Sequence, residues 1–172
     1  MATPNPFPPL SNEVKQRVGA ALKQMPSGLY VLTAQHEDRR MGMLASWVQQ
    51  ACFEPPMLTV AIAKGRPIMP LISESRRFAV CQLGDGSRKM MRKFSKEIEP
   101  GDDPFLGYDL LPTELPGLPV FRDCIAYLEC ELAAHMDVEG DHDIFVGAIR
   151  GGGTPKEGEP AHVHWRESGF TY

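Results

Sequence analysis

The 172-residue sequence predicts a mainly β protein, a barrel with a few peripheral α-helices. Three observations lead there. Apolar runs of strand length recur at 29–35, 41–51, 57–63, 77–83, 125–136 and 142–150. Most of the breaks between them are short and carry glycine, proline or acidic residues. Stretches with helical spacing are few and brief.

Each element follows in order. Residues 1–10, with prolines at positions 4, 6, 8 and 9, form an extended arm ahead of one domain over 11–172. Ser11 suits an N-cap and Glu13 a helix first turn, where the dipole favours an anion. Val14, Val18, Ala21 and Leu22 then recur at helical spacing, predicting an amphipathic helix over 12–24 that Pro26-Ser27-Gly28 stops. Strands 29–35 and 41–51 flank a polar hairpin loop at 36–40, and Glu54-Pro55-Pro56 reverses the chain into strand 57–63. Pro67 in a first turn begins a short helix to about Ser73, and 77–83 returns as a strand. Ser87 precedes a helix over 88–95 that turns Met90, Met91 and Phe94 inward. Residues 97–119, rich in proline, glycine and acids, read as a loop of the length that often serves function. Strands 125–136 and 142–150 meet at an acidic turn. Gly151-Gly152-Gly153 with 154–160 reads as a flexible connection, and 162–165 as a last short strand.

An apolar fraction of 42% with 23% charged residues is that of a soluble globular chain, long enough for one domain with a real core. A net charge of −4 gives no footprint for nucleic acid or an anionic membrane. The basic run Arg88, Lys89, Arg92, Lys93, Lys96 is followed at once by acids. It reads either as a solvated helix face or as support for a phosphate or cofactor tail. Four cysteines without C-x-x-C spacing point to a reduced, cytoplasmic protein. The proline-rich start is not a signal peptide, and no apolar run of about 18 residues could span a bilayer.

Residues 42–72 carry the most chemistry. Ala45 and Ser46 are small beside the large flat Trp47, so a backbone there could approach something planar. Lys64-Gly65-Arg66, next to a helix start, would suit an anion. A phosphate on a flat heterocycle fits both halves. His162 and His164 lie two apart on a strand, but no cysteine or carboxylate pair completes a metal site. Neither a G-x-G-x-x-G nor a P-loop pattern is present.

Five blocks in order resemble the flavin reductase-like, FMN-binding split barrels. They are Gly42-Met43 with Ser46-Trp47; Pro55-Pro56 with Met57–Ala63; Lys64-Gly65-Arg66 with Leu71-Ile72; Ser75 to Val80; and Leu128-Glu129-Cys130 with Gly140-Asp141-His142 running into Ile144 to Gly147. The resemblance covers about 25–172, and His164-Trp165-Arg166 with Gly169, Phe170 and Tyr172 resembles the family's closing strand near the cofactor. It implies a split β-barrel, a homodimer, and FMN (or FAD) held by Met43, Leu44, Ala45, Ser46 and Trp47 and by Ala61, Ala63, Lys64, Gly65 and Arg66, with Cys52 close enough to line the pocket. Ser46 would hydrogen-bond the flavin, and Lys64 and Arg66 would lie near its phosphate. Relatives often carry serine and threonine where this chain has Gly65 and Pro67, so the phosphate contacts are the residues most open to change. His142 would serve NADH or NADPH stacking over the flavin. The implied activity is NAD(P)H-dependent flavin reduction supplying a partner oxygenase or redox protein. The alternative is a flavoredoxin-like electron carrier with no nicotinamide activity of its own.

Overall fold

A computed structural model describes residues 7–99 and 101–171. Seven strands form one antiparallel sheet: β2 (Tyr30–His36), β3 (Arg39–Ala45), β4 (Val48–Cys52), β5 (Met57–Ala63), β6 (Arg77–Gln82), β7 (Ala126–Asp137) and β8 (His142–Gly153). Their spatial order is β3-β2-β6-β7-β8-β5-β4. A two-stranded ribbon pairs β1 (Ser27–Gly28) with β9 (Val163–His164). The helices are α1 (Asn12–Lys23), α2 (Ile68–Ser75) and α3 (Arg88–Phe94).

The sheet curls so that its edge strands β3 and β4 are consecutive in sequence yet lie at opposite ends of the order. This corrects the single strand expected over 41–51: the chain stops pairing with β2 at Ala45, crosses at Ser46-Trp47, and resumes pairing with β5 at Val48. The apolar pattern runs on through the crossing because both edges face the same interior, so periodicity alone could not show the break. The two edges do not pair with each other, and the barrel stays split.

Alternation sorts the strands onto two cores. Leu32, Ala34, Phe78, Val80, Leu58, Val60, Ile62 and Phe145 fill the barrel, and Ile68, Leu71 and Ile72 of α2 cap it. Gly147 leaves the room that Phe78 and Cys130 occupy; a Cβ there would come within 2.5 Å of Phe78. Val31, Ala79 and Cys81 point outward into a second core made with Met90 and Phe94 of α3 and with Phe105, Leu118, Val120 and Phe121 of the long loop. That loop is packed structure. Buried Glu129 accepts hydrogen bonds from the Glu114 and Leu115 amides (3.2 and 2.7 Å), and Thr33 Oγ1 donates to the Pro119 carbonyl at 2.7 Å.

Other expectations need correction. The loop expected at 36–40 shrinks to Glu37-Asp38, with Glu37 at φ +50°. Gly151-Gly152-Gly153 is part of β8, where a Cβ on Gly152 would meet the Tyr127 carbonyl oxygen at 2.7 Å; close strand approach, rather than flexibility, calls for glycine there. Ser11 Oγ accepts from Val14 N as expected of a cap (3.4 Å), but α1 buries no residue fully. It leans on the C-terminal segment, with Arg166 donating to the Leu22 carbonyl at 2.9 Å. Ser87 Oγ accepts from Gly84 N, making no side-chain cap to α3. Of the expected arm, residues 1–6 lie outside the described residues, as does Tyr172.

Candidate functional site

The split between the sheet edges opens into two adjoining cavities. Met43, Leu44, Ala45 and Ser46 form one wall, Ala61, Ala63 and Arg66 the other, and Phe94, Ser95, Lys96 and His164 close the end. The space is about 230 Å³. It opens, past Ser46 and Ala61, into a wider cavity of about 680 Å³ whose walls include Tyr30, Trp47, Gln49, Thr59, Gln82, Ile144, His162 and Arg166. The wider part lies within the 300–1,000 Å³ usual for small-molecule sites, with the narrow part as a deep extension.

Ser46 sits at the junction of the two and is 5% exposed, and its Oγ has no hydrogen-bond partner. The crossing explains its place. Ala61 N donates to the Trp47 carbonyl at 3.0 Å, which extends the β4–β5 pairing and pins the chain just after Ser46. Ala61 and Ala63 keep the opposite wall shallow, so a flat body can lie across it.

Charge is unevenly placed. Gly65, at φ +82°, takes the left-handed turn that ends β5, and Arg66 lines the narrow cavity. Lys64 goes elsewhere: its Nζ lies 2.7 Å from Asp137 and 3.6 Å from Asp143, and its amide donates to the Asp141 carbonyl at 2.9 Å. The hydrogen bond to Asp137 holds the Lys64 ammonium pKa above its ordinary value. Lys64 therefore clasps the β5 turn to the β7–β8 hairpin, while Lys96 joins Arg66 as the second cation of the narrow cavity. Burial, aided by the charges of His162 and Arg166, lowers the His164 pKa and favours the neutral ring.

The remaining expected residues fall around the site unevenly. Trp47 walls the wide cavity, with the Arg166 guanidinium 5.5 Å from its ring centroid and the His142 ring 4.7 Å away. His142 pairs with Ala63 in the β5–β8 register, meets Asp141 Oδ1 through Nδ1 at 2.8 Å, and is 12% exposed. Its ring is packed on Trp47 rather than loose at a pocket mouth. Cys52 lines neither cavity; its thiol meets the Pro55 carbonyl at 2.9 Å. His162 and His164 serve different cavities, and His162 pairs with Asp85. No group of three or more metal-ligating side chains gathers among the described residues. Tyr30 carried no individual signal, because the positions facing a split depend on how the sheet curls; Lys96 and Arg166, read in the sequence as part of a basic run and of a closing strand, both line the site.

The comparisons agree with this geometry. The family model described as "Flavin reductase like domain" matches residues 22–171. The chain belongs to that flavin reductase-like family. It has the split-barrel fold of that family. It is 39% identical over 153 residues, 88% of its length, to a putative diflavin flavoprotein A 3 of Nostoc sp. and likewise to diflavin flavoprotein A 1 of Synechocystis sp.. It spans about a quarter of the length of those relatives, 26% in each case. Among solved structures it superposes on an NADH:FAD oxidoreductase of Streptomyces globisporus C-1027 with a TM-score of 0.79 at 24% identity, covering 95% of both chains. It also superposes on the styrene monooxygenase flavin reductase of Pseudomonas putida S12 with a TM-score of 0.70 at 27% identity, covering 90% of this chain and 93% of that one.

Proposed function

We propose that this domain binds a flavin nucleotide in the split and catalyses its reduction by NADH or NADPH, for delivery of electrons to a partner oxygenase or redox protein. The observation that carries the reading is the buried, unpartnered Ser46 hydroxyl at the junction of the two cavities. A buried polar atom left unsatisfied costs about 1–3 kcal/mol, and a ligand with a polar edge relieves it. A flavin, when bound, supplies a ring that accepts hydride from a reduced nicotinamide and passes its electrons on. The FMN portion fits the two parts of the site. Arg66 and Lys96 hold the phosphate in the narrow part, Ser46 hydrogen-bonds along the chain or ring edge, and Trp47 flanks the wide part, where the reductant has access. His142 orders that wall through its packing on Trp47 and needs no acid–base role, because hydride transfer depends on stacking and orientation.

The chain also carries exposed apolar residues lining the wide cavity, Met25 and Val163, and Trp165 is exposed beside Arg166, which lines it too. A second copy covering them makes the homodimer that we propose. Its cysteines are unpaired among the described residues, in keeping with a reducing cytoplasm.

A second reading is favoured by the diflavin relatives, in which a region like this chain accounts for about a quarter of a longer protein. In that reading the domain is an electron carrier that exchanges with another redox centre and has no nicotinamide activity of its own. One experiment separates the two: an absorbance spectrum of the purified, flavin-loaded protein, followed by anaerobic addition of NADH and of NADPH. Bleaching of the flavin bands by either nucleotide supports the reductase. A bound flavin that only dithionite bleaches supports the carrier, and failure to bind any flavin overturns both.

A further inference from the structure

We infer that the wide cavity chooses its reductant through a basic wall, Arg166 with His162, which takes the 2′-phosphate of NADPH and makes NADPH the preferred nucleotide over NADH. The inference rests on the reductase reading above and settles the nucleotide left open there. NADH and NADPH differ only at the 2′ position of the adenosine ribose. A hydroxyl at that position is held best by a carboxylate acceptor, and a phosphate by a guanidinium. The wide cavity is lined by Arg166 and His162 and, among the described residues, by no aspartate or glutamate. A 2′-hydroxyl finds no carboxylate on that wall, whereas a 2′-phosphate finds a guanidinium and an imidazole.

Both side chains are fixed before any ligand arrives. Arg166 donates through Nη2 to the Leu22 carbonyl at 2.9 Å, and its guanidinium lies 5.5 Å from the Trp47 ring centroid. No carboxylate pairs with it among the described residues, so its charge and its other N–H groups remain for an anion. His162 is held twice: its amide donates to the Leu83 carbonyl at 2.9 Å, and its Nδ1 meets Asp85 Oδ1 at 2.9 Å. Asp85 itself does not line the cavity. Nε2 of His162 has no partner among the described residues. A protonated imidazole donates from both nitrogens, here one to Asp85 and the other to the phosphate. His164, between the two in sequence, registers the local field. Burial, with the charges of His162 and Arg166, lowers its pKa, and a field that opposes a further cation favours an anion.

The test is anaerobic stopped-flow reduction of the flavin-loaded protein by NADPH and by NADH, for the wild type, Arg166→Gln and His162→Gln. The wild type should show an apparent Kd at least tenfold lower for NADPH than for NADH. Limiting rates should be similar, because the 2′ position is remote from the nicotinamide ring. Each variant should cut the preference severalfold, with the loss in the apparent Kd for NADPH and not in the limiting rate. On the wild type, adenosine 2′,5′-bisphosphate should compete with NADPH at least tenfold better than 5′-AMP; this comparison decides the matter even where a variant fails to fold. Equal affinity of the wild type for the two nucleotides, or a preference for NADH, overturns the inference and leaves the reductase reading standing. So do variants that weaken both nucleotides alike, the mark of a purely structural role, and equal inhibition by the two adenosine phosphates. If neither nucleotide reduces the bound flavin, the reductase reading itself fails and this inference falls with it.

Discussion

Ser46 gives the sharpest test among single residues, because its hydroxyl is buried without a partner. Ser46→Ala removes an unsatisfied group from the apo protein, so thermal stability should hold or rise. Flavin affinity should fall by about 1–2 kcal/mol, the worth of a hydrogen bond in a dry site; calorimetry of both forms checks the pair of signs. Arg66 and Lys64 should behave as opposites although one glycine separates them. Arg66→Ala should weaken flavin binding by about 1.5–3 kcal/mol, the scale of a charge-assisted hydrogen bond. Lys64→Ala should lower the melting temperature and leave flavin affinity alone, because its ammonium belongs to Asp137 and Asp143. Equal losses of affinity in a flavin titration would contradict that division. For His142→Ala, flavin affinity should stay near the wild-type value while anaerobic reduction by NADH or NADPH slows about tenfold, roughly 1.4 kcal/mol of transition-state stabilisation. A drop in melting temperature with an unchanged reduction rate would make the residue purely structural.

At the scale of elements, the long loop matters most. Arg40 of β3 holds Asp103 with a bidentate pair of hydrogen bonds from Nε and Nη2 and lies over the Phe105 ring at 5.3 Å, tying the loop to the sheet edge that walls the narrow cavity. The Arg40 hydrogen bond holds the Asp103 carboxyl below its ordinary pKa. A depressed folded-state pKa contributes stability above the unfolded value, near 3.9, and loses it as pH falls through the folded pKa. Solvent screening of this half-exposed pair limits the contribution to below about 1 kcal/mol. Asp103→Asn should therefore melt slightly lower than wild type at pH 7, and the two curves should converge below about pH 4 in a pH series of melting temperatures. The same loop shows why its length was readable and its role was not. Its prolines and glycines announced irregular backbone, but its burial depends on Glu129 of β7, 15 and 14 positions on, accepting from the Glu114 and Leu115 amides.

At the scale of the whole molecule, the split barrel explains why one site draws on β3, β5, α3 and the C-terminal ribbon together. It also explains an exposed apolar rim around the wide cavity. Association through that rim should give a sedimentation mass near twice the 19.1 kDa of the chain. Trp165→Glu, which places a charge in the rim, should yield a monomer with weakened flavin affinity. A wild-type monomer with full flavin affinity would remove the partner from the site. Among the described residues no helix is long and apolar enough to cross a membrane.

The sequence by itself marked most of the strands, since apolar runs of strand length between turns leave their mark on residue choice: Met57–Ala63 falls where its near-continuous apolar run and flanking turns put it. It also marked Ser46 and Arg66 as residues of interest, because small and cationic side chains near turns are local features. Only the tertiary structure decided that 41–51 is two edges of one sheet, that Lys64 turns to the β7–β8 hairpin while Arg66 enters the cavity, and that α3 brings Lys96 to the same place. Those outcomes depend on curvature and on pairings between segments far apart in the chain, such as Ala63 with His142 and Phe94 against the gap left by Gly42. A one-dimensional pattern records which face a side chain takes, whereas the partner across the gap is set by how the whole sheet closes.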